Sequence, residues 1–248
     1  MEANEKQTAR MTGFRKSRSS ACLLPVGALL AASLMMACQK APQQAFQDGM
    51  EAYSKADFKT ALENWRPLAE AGDASAQTNV GLMYSQGKGV PQDYQQAFDW
   101  YKKAAMQNYP DAEYNLALVF RDGKGMPPNP EEAIRWFQHA AESGHLRAAV
   151  RLGEMYRKGA GVPANPREAV KWFELAAEKG EPAAQVELGE ILAQGEGVAM
   201  DRIKAYFWFS AATAQDQDEI VSARASMRRM RLMSQMDELE IAEGERQA

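Results

Sequence analysis

Apolar residues fall on one helical face twice within the stretch 76–111. The first set recurs at spacings of four, three and one, which predicts a helix over about 75–86. The second set predicts another helix over about 94–107. Their members are Ala76, Val80, Met83 and Tyr84 in the first helix, and Ala97, Trp100, Tyr101, Ala104 and Ala105 in the second. The stretch therefore predicts a helical hairpin whose apolar faces pack together.

The hairpin pattern returns three more times without a change of length. Trp100 recurs at positions 136, 172 and 208, each time 36 residues after the previous tryptophan. Because one short hairpin cannot bury its own apolar face, a repeat of this length predicts that successive hairpins stack and share one core. We expect the repeated tryptophan to pack into that core beside small alanines.

The segment that joins the two helices has the residues of a helix end followed by a new start. Gly87 is a typical left-handed C-terminal cap, and Asp93 is a typical N-cap. Gly89 completes a Gly-x-Gly motif that could also cradle a phosphate, but the pattern lacks the strand that such a loop follows. Gly81 lies inside the first helix, where its small size predicts the close approach of a neighbouring helix.

The repeated residues spell a recognisable pattern, A-x-x-x-L-G-x-x-Y-x-x-G-x-G-V-x-x-D-x-x-x-A-x-x-W-Y-x-x-A-A-x-x-G, in four units over residues 76–215. It resembles the Sel1-like repeat (SLR), a relative of the tetratricopeptide repeat. The resemblance implies an all-α fold: a right-handed superhelical solenoid of antiparallel helix pairs with a C-terminal helical cap. Departures such as Ala117 in place of Gly and Met126 in place of Val do not remove a helix pair.

This organisation divides the chain into eight segments. We expect a signal peptide over 1–37, then a lipidated N-terminus and short tether over 38–44. A degenerate leading repeat over 45–74 keeps Trp65 and Gly72. The four SLR units occupy 75–110, 111–146, 147–182 and 183–217, and capping helices occupy 218–248.

Residues 1–37 have the composition of a secretory signal. Arg15, Lys16 and Arg18 precede an uncharged run over 21–37, which is short for a membrane span. The first ten residues are polar and partly acidic, unlike the start of a signal. Translation from Met11 is therefore one alternative, and a retained membrane anchor is another.

Cys38 follows this run directly after Ala37. The arrangement resembles the lipobox of bacterial lipoproteins, in which the cysteine is lipidated and becomes the mature N-terminus. Cys38 would then be the only thiol, because Cys22 lies within the signal. With Gln39 after it, the resemblance implies an outer-membrane lipoprotein that faces the periplasm of a bacterial cell envelope. An ordinary signal peptide would instead make the protein periplasmic or secreted.

The charge balance disfavours two kinds of partner. Residues 1–37 hold five basic and two acidic residues, so the remainder has 24 basic and 31 acidic residues and a net charge of −7. Such a surface disfavours nucleic acid and anionic lipid headgroups. We therefore expect contact with the membrane through the N-terminal lipid and no binding of nucleic acid.

The residues needed for enzymatic chemistry are sparse. The two histidines, His139 and His145, lie six residues apart without a cysteine nearby, which does not fit the spacing of a zinc site. No nucleophile motif such as G-x-S-x-G occurs. We expect no catalytic residue, no metal and no cofactor, and we interpret both histidines as surface or turn residues.

A further helix is predicted after the last repeat. Its apolar residues form a stripe at spacings of three, four and three, which we expect to be the packed face. Its arginines could bind phosphate, but we expect them to form the solvated outer face of a terminal cap. The stripe is Ile220, Ala223, Met227 and Met230, and the arginines are Arg224, Arg228, Arg229 and Arg231. Ser234 with Asp237 resembles a capping box that starts a final helix.

The resemblance also indicates where a partner would bind. In the related tetratricopeptide fold the first helix of each pair lines a concave groove, and stacking places equivalent positions in ladders. Asparagine, arginine and tyrosine at such positions suit a peptide backbone, a carboxylate and an apolar anchor respectively. The predicted groove residues are Asn79, Tyr114, Asn115, Arg121, Arg151 and Arg157. The alternative is that these residues are solvated and bind nothing.

The sequence therefore predicts a scaffold or adaptor that binds a protein or peptide partner in the groove. A structural or regulatory subunit of an envelope complex, acting through the convex face, is the second hypothesis. An envelope hydrolase is the third.

Overall fold

The computed structural model describes residues 41–214 and 218–248, which contain twelve helices and no strand. The predicted signal segment and Cys38 lie outside the described residues. Pro42–Ala248 forms one compact unit. Its helices are α1 (Pro42–Ser54), α2 (Phe58–Glu70), α3 (Ala74–Gln86), α4 (Tyr94–Ala105), α5 (Pro110–Asp122), α6 (Pro130–Glu142), α7 (Leu146–Lys158), α8 (Pro166–Ala177), α9 (Pro182–Gln194), α10 (Arg202–Thr213), α11 (Glu219–Met233) and α12 (Glu238–Gln247).

The helices pack in chain order. Each of the pairs α1/α2, α3/α4, α5/α6, α7/α8 and α9/α10 forms a hairpin, and the second helix of one pair packs on the first helix of the next. At the C-terminal end α11 contacts α9 and α10, and α12 contacts α10. The predicted all-α solenoid of helix pairs is therefore confirmed.

The turn inside each hairpin is built as the sequence predicts. Gly87 ends α3 with φ of 66°, a left-handed conformation that costs glycine little. The carboxylate of Asp93 then accepts hydrogen bonds from the backbone N–H groups of Gln95 and Gln96 and starts α4. These caps fix where one helix stops and the antiparallel one begins.

Close helix contact explains the glycine inside the first helix of three repeats. A Cβ atom on Gly81 would lie 2.8 Å from the ring of Tyr101, and one on Gly153 would lie 2.7 Å from the ring of Phe173. Both rings are buried. The predicted approach of a neighbouring helix is confirmed, and an aromatic ring fills the space that the glycine leaves.

The repeated tryptophan packs against the core, as predicted, but it is not the most deeply buried ring. Trp172 is half-buried, whereas the next residue, Phe173, has no exposed surface. The same relation holds in the other three units, where the residues after the tryptophan are Tyr101, Phe137 and Phe209. The tryptophan packs against the core from its edge, and the following ring fills the space between the two helices of one hairpin, as Phe173 does beside Gly153.

The prediction for the packed face of α11 is also wrong. The stripe of Ile220, Ala223, Met227 and Met230 is exposed, and the helix instead buries Ala225 and Leu232. Two of its arginines turn toward glutamates of α9. Ala225 packs in a cluster with Val186 of α9 and Phe209 of α10, while the ion pairs hold the flank of the helix on α9, so the narrow buried face lies opposite the apolar stripe.

The last helix begins as a capped helix. Asp237 accepts a hydrogen bond from the backbone N–H of Glu240, whose side chain accepts one in return from the backbone N–H of Asp237. The capping box therefore starts at Asp237 rather than at Ser234. Within the described residues, no helix combines the length and apolar character that crossing a bilayer requires.

Candidate functional site

A cavity of about 610 Å³ lies between the first helices of three successive repeats and α11. Its walls include Tyr114 of α5, Val150 and Arg151 of α7, Glu187 of α9 and Val221 of α11. We call this space the inner-helix cavity. Its volume is in the range of sites that hold a few side chains of a ligand.

Repeat stacking creates this cavity. Tyr114 and Val150 occupy equivalent positions 36 residues apart, and so do Arg151 and Glu187. Because adjacent repeats are related by one constant step, equivalent side chains from successive helices line one surface. Two of the six predicted groove residues, Tyr114 and Arg151, are thereby brought together in the cavity wall.

Tyr114, which lines the cavity, stacks on the ring of a histidine. The ring of Tyr114 lies parallel to that of His145, with 4.3 Å between centroids and 17° between planes. His145 also starts α7, since its Nδ1 accepts a hydrogen bond from the backbone N–H of Ala148. Burial lowers the pKa of His145, although the carboxylate of Asp111, 3.5 Å from Nε2, opposes this shift. The imidazole is therefore neutral at pH 7. The hydrogen bond from Ala148 fixes its orientation against the ring of Tyr114.

The lining of the cavity is mixed in charge, with three arginines, Arg147, Arg151 and Arg224, and four acidic residues, Glu154, Glu181, Glu187 and Asp218. Arg151 pairs with Glu154 on its own helix, with 3.1 Å between Nη1 and Oε2. Arg147 is exposed at the cavity and makes no ion pair within residues 41–214 and 218–248. Arg147 is thus the cation that can pair with an incoming carboxylate without first breaking an internal contact.

Three predicted groove residues lie away from this cavity. Asn79 and Asn115 are half-buried on α3 and α5, and the Asn79 amide is 4.0 Å from the sulfur of Met50. Arg121 pairs with its neighbour Asp122 at 2.7 Å. None of the three lines the inner-helix cavity.

The sixth residue, Arg157, is engaged within the protein. Its guanidinium lies 2.7 Å from a carboxylate oxygen of Glu196, 2.9 Å from one of Glu187 and 3.9 Å from one of Glu190. Two arginines of α11 bind the same glutamates: Arg224 lies 3.1 Å from Glu187, and Arg228 lies 2.8 Å from Glu190. We call these six residues the α11 latch, because they join α7, α9 and α11.

Glu187 is the member of the α11 latch whose surroundings disfavour the ionised carboxylate. Burial raises the pKa of Glu187, and the neighbouring carboxylate of Glu190 raises it further. The positive charges of Arg224 and Arg157 oppose both effects. Glu187 therefore depends on the two arginines to stay ionised beside the cavity.

In the described residues, no group of three or more histidine, cysteine or carboxylate side chains could hold a metal ion. The functional features that sequence analysis missed are Arg147, the cap formed by His145 and the glutamates of the α11 latch. His145 precedes a predicted inner helix directly, and this N-cap position was the available signal.

Comparison with known proteins agrees with the repeat geometry. The family model described as Sel1 repeat matches residues 74–109, 110–145, 146–181 and 182–217. Among curated proteins, no significant match was found.

Several solved structures share this arrangement. A Sel1 repeat protein from Oxalobacter formigenes is 29% identical, with a TM-score of 0.68 over 84% of this chain and 96% of that one. Pseudomonas aeruginosa protein PA5086 is 19% identical, with a TM-score of 0.50 over 82% and 83% of the two chains. The protective antigen c5321 of uropathogenic Escherichia coli, which displays an SLR fold, is 23% identical, with a TM-score of 0.49 over 84% and 60%.

Proposed function

Since the chain belongs to the Sel1 repeat family, whose members are generally non-enzymatic scaffolds for protein–protein interaction, we propose that its inner-helix cavity binds a segment of a partner protein. One observation carries the proposal: the first helices of three successive repeats converge on one cavity that is lined by the ring of Tyr114 and by Arg147, which makes no ion pair within the described residues. A scaffold needs such a surface, and the described residues offer one.

The lining of the cavity defines the chemistry of the segment. Tyr114, Val150 and Ala183 provide an apolar wall, and Arg147 lies beside it. The side chain that fits is apolar, followed by a carboxylate that reaches Arg147. Glu181 and Asp218 also line the cavity and disfavour a second acidic group on that side.

Site-specific photocrosslinking in the native host tests the cavity. We expect a crosslinking amino acid at position 147 to trap a discrete protein partner, and expect the same group at position 135 to trap none. Arg135 is the matched control, because it is an exposed arginine on α6, the second helix of its hairpin, and it does not line the cavity. Adding Tyr114→Ala should weaken binding about thirtyfold and reduce the adduct from position 147 accordingly, since an aromatic anchor at an interface contributes about 2 kcal/mol.

The outcome separates two modes of binding. Adducts from position 135 and none from position 147 would contradict the cavity and favour binding through the outer helices. Equal adducts from both positions would indicate labelling without a defined interface and would also contradict the proposal.

We also infer that the protein acts in a bacterial cell envelope, anchored by a lipid on Cys38. The sequence supports this location through the basic residues before position 21, the uncharged run over 21–37 and the Ala37-Cys38 step. Two acyl chains at one N-terminus give stable membrane attachment, because each buried CH₂ group contributes about 0.8 kcal/mol.

Metabolic labelling with an alkyne fatty acid checks the anchor. We expect label on the wild-type protein and on a Cys22→Ser control, and loss of label in Cys38→Ser, because Cys22 lies within the segment that is removed. The Cys38→Ser protein should also leave the membrane fraction. Label that persists without Cys38, or a wild-type protein that takes up none, would contradict the anchor.

A further inference from the structure

A buried carboxyl on α5 lacks a hydrogen-bond partner. Glu113 is only 2% exposed, and its Oε2 atom makes no hydrogen bond within the part of the chain that the structure describes. An ionised carboxylate in such a place is costly, because burial removes its hydration and no donor replaces the water. Glu113 lines neither the inner-helix cavity nor the α11 latch, so its role is separate from both.

The neighbouring units show what the fold offers to a polar side chain at this position. Gln77 and Gln185 are the equivalent residues of the first and fourth units, and both are buried. The Nε2 atom of Gln77 donates to the carbonyl oxygen of Ala69 at 2.9 Å. That of Gln185 donates to the carbonyl oxygen of Ala177 at 3.2 Å. Each acceptor lies eight residues earlier, at the end of the preceding hairpin, so the bond joins one hairpin to the next.

The same acceptor stands before Glu113. Ala105 lies eight residues earlier and ends α4, and its carbonyl oxygen accepts a hydrogen bond from the backbone N–H of Asn108 at 2.9 Å. The carbonyl oxygens that accept from the two glutamines are likewise bonded to the backbone N–H three residues later. The second lone pair of the oxygen remains for a side-chain donor. A carboxylate has no hydrogen to donate to it, whereas a carboxylic acid has one.

We propose that Glu113 is a neutral carboxylic acid in the folded array and donates its hydrogen to the carbonyl oxygen of Ala105. The acid takes the place of the glutamine amide of the other units and joins the hairpin α3/α4 to the hairpin α5/α6. Ala149 occupies the equivalent position of the third unit without a polar group, so the repeat does not require a side-chain bond there. A buried polar side chain does require one, and the proton supplies it.

Burial outweighs the charges that surround Glu113. The helices packed on α5 are α3, α4 and α6, and α3 contains no charged residue. The charged residues of the other helices are mostly exposed: Asp99, Lys102 and Lys103 on α4, Glu131, Glu132, Arg135, His139 and Glu142 on α6, and Asp111, Arg121 and Asp122 on α5 itself. His145, before α7, faces Asp111. Burial raises the pKa of the Glu113 carboxyl, and the exposed His139 opposes this shift more weakly.

The proton makes the contact between the two hairpins sensitive to pH. In the unfolded chain Glu113 is in water and loses its proton at a lower pH than in the folded array. Its contribution to stability is therefore fully present below the ordinary pKa of a glutamate. It decreases as pH rises from there through the raised pKa of the folded state, and it changes no further above that value. A carboxylate stabilised by an ion pair would have the opposite dependence.

Urea unfolding of the full chain between pH 4 and pH 8 tests the proposal with Glu113→Gln. The variant carries the amide of Gln77 and Gln185, which donates at every pH. At pH 4 we expect its unfolding equilibrium constant to lie within about threefold of wild type, because one hydrogen bond replaces another. By pH 7 the wild-type constant should have risen about tenfold or more relative to the variant, since one proton changes the ratio by up to about tenfold per pH unit.

The matched control is Glu174→Gln, which neutralises an exposed glutamate on α8. Its ratio to wild type should stay constant within about threefold over the same pH range. If the Glu113→Gln ratio is equally flat, Glu113 ionises alike in both states and the proposal is wrong. A ratio that moves in the opposite direction would mean an ionised Glu113 that pairs with His139, and would also overturn it.

Carbon-13 NMR of the wild-type chain observes the proton without relying on a variant's stability. With glutamate labelled at Cδ, the signal that disappears in Glu113→Gln is assigned to Glu113. We expect this signal to keep the chemical shift of a carboxylic acid at a pH where the signals of exposed glutamates have already moved to that of a carboxylate. A Glu113 signal that titrates together with the exposed glutamates would contradict the neutral acid.

Discussion

Replacing Phe173 by alanine is expected to lower the free energy of unfolding by about 3–5 kcal/mol. The phenylalanine has no exposed surface and fills the space that Gly153 leaves between α7 and α8. Its removal takes away the transfer free energy of the ring and leaves a cavity at the contact of two helices, which the caps at both ends prevent from closing. Most domains have only about 5–15 kcal/mol of stability, so the change is large.

Urea unfolding followed by circular dichroism measures this loss. The matched control is Met106→Ala, which also truncates a large apolar side chain but at a position that is 72% exposed. We expect the control to change the free energy of unfolding by less than about 0.5 kcal/mol. A loss below about 1 kcal/mol for Phe173→Ala would show that the buried ring is not the centre of the core.

The comparison of Phe173 with Trp172 shows how far the repeat pattern alone can predict the core. Sequence analysis located the helices and caps, because these depend on residues within one hairpin, such as Gly87 and Asp93. Which of two adjacent rings becomes fully buried was not predicted, although Phe173 meets Gly153 within one hairpin. Both rings lie on the apolar side of α8, and the helical spacing alone does not say which of them points at the glycine.

The inner-helix cavity was predictable in part, because the repeat length shows which positions of successive helices are equivalent. Tyr114 and Arg151 were expected from the ladder of equivalent positions, and the cavity confirms that stacking brings them together. Arg147 occupies such a ladder position too, but its lack of a partner becomes visible only when every neighbouring acid is placed. Arg157 illustrates the opposite case, since glutamates 30 to 39 residues later in the chain bind it.

The prediction of the packed face from hydrophobic periodicity was least accurate for α11. A helix that follows the array has no repeat register to fix its orientation, and its sequence offers two candidate packed faces, one apolar and one rich in arginine. The glutamates of α9 decide between them, because Glu187 and Glu190 would share the single counter-charge of Arg157 if Arg224 and Arg228 faced water. The apolar stripe is therefore left exposed as a consequence of the α11 latch.

Because the glutamates of the α11 latch rely on its arginines for charge balance, we expect Arg157→Met to destabilise the C-terminal end of the array. The arginine side chain is only 19% exposed and binds three carboxylates, so its removal leaves Glu196 unpaired and Glu187 and Glu190 with one arginine each. Truncating one partner of a fully buried ion pair costs about 3–5 kcal/mol, and partial exposure reduces this to about 1–3 kcal/mol here. Hydrogen exchange should show faster exchange in α11, and Arg135→Met, at an exposed pair, should leave it unchanged.

The loss caused by Arg157→Met should also depend on pH. Burial already raises the pKa of Glu187, and the variant removes one of the positive charges that oppose this rise. A carboxyl whose pKa is higher in the folded than in the unfolded state binds its proton more tightly when folded, so its contribution to stability increases as pH falls through that raised pKa. We therefore expect urea unfolding at pH 5 to recover part of the difference from wild type that is measured at pH 7. A difference that stays constant or grows toward pH 5 would mean that Arg157 stabilises the array by packing, because only an uncompensated carboxylate gains from the added proton.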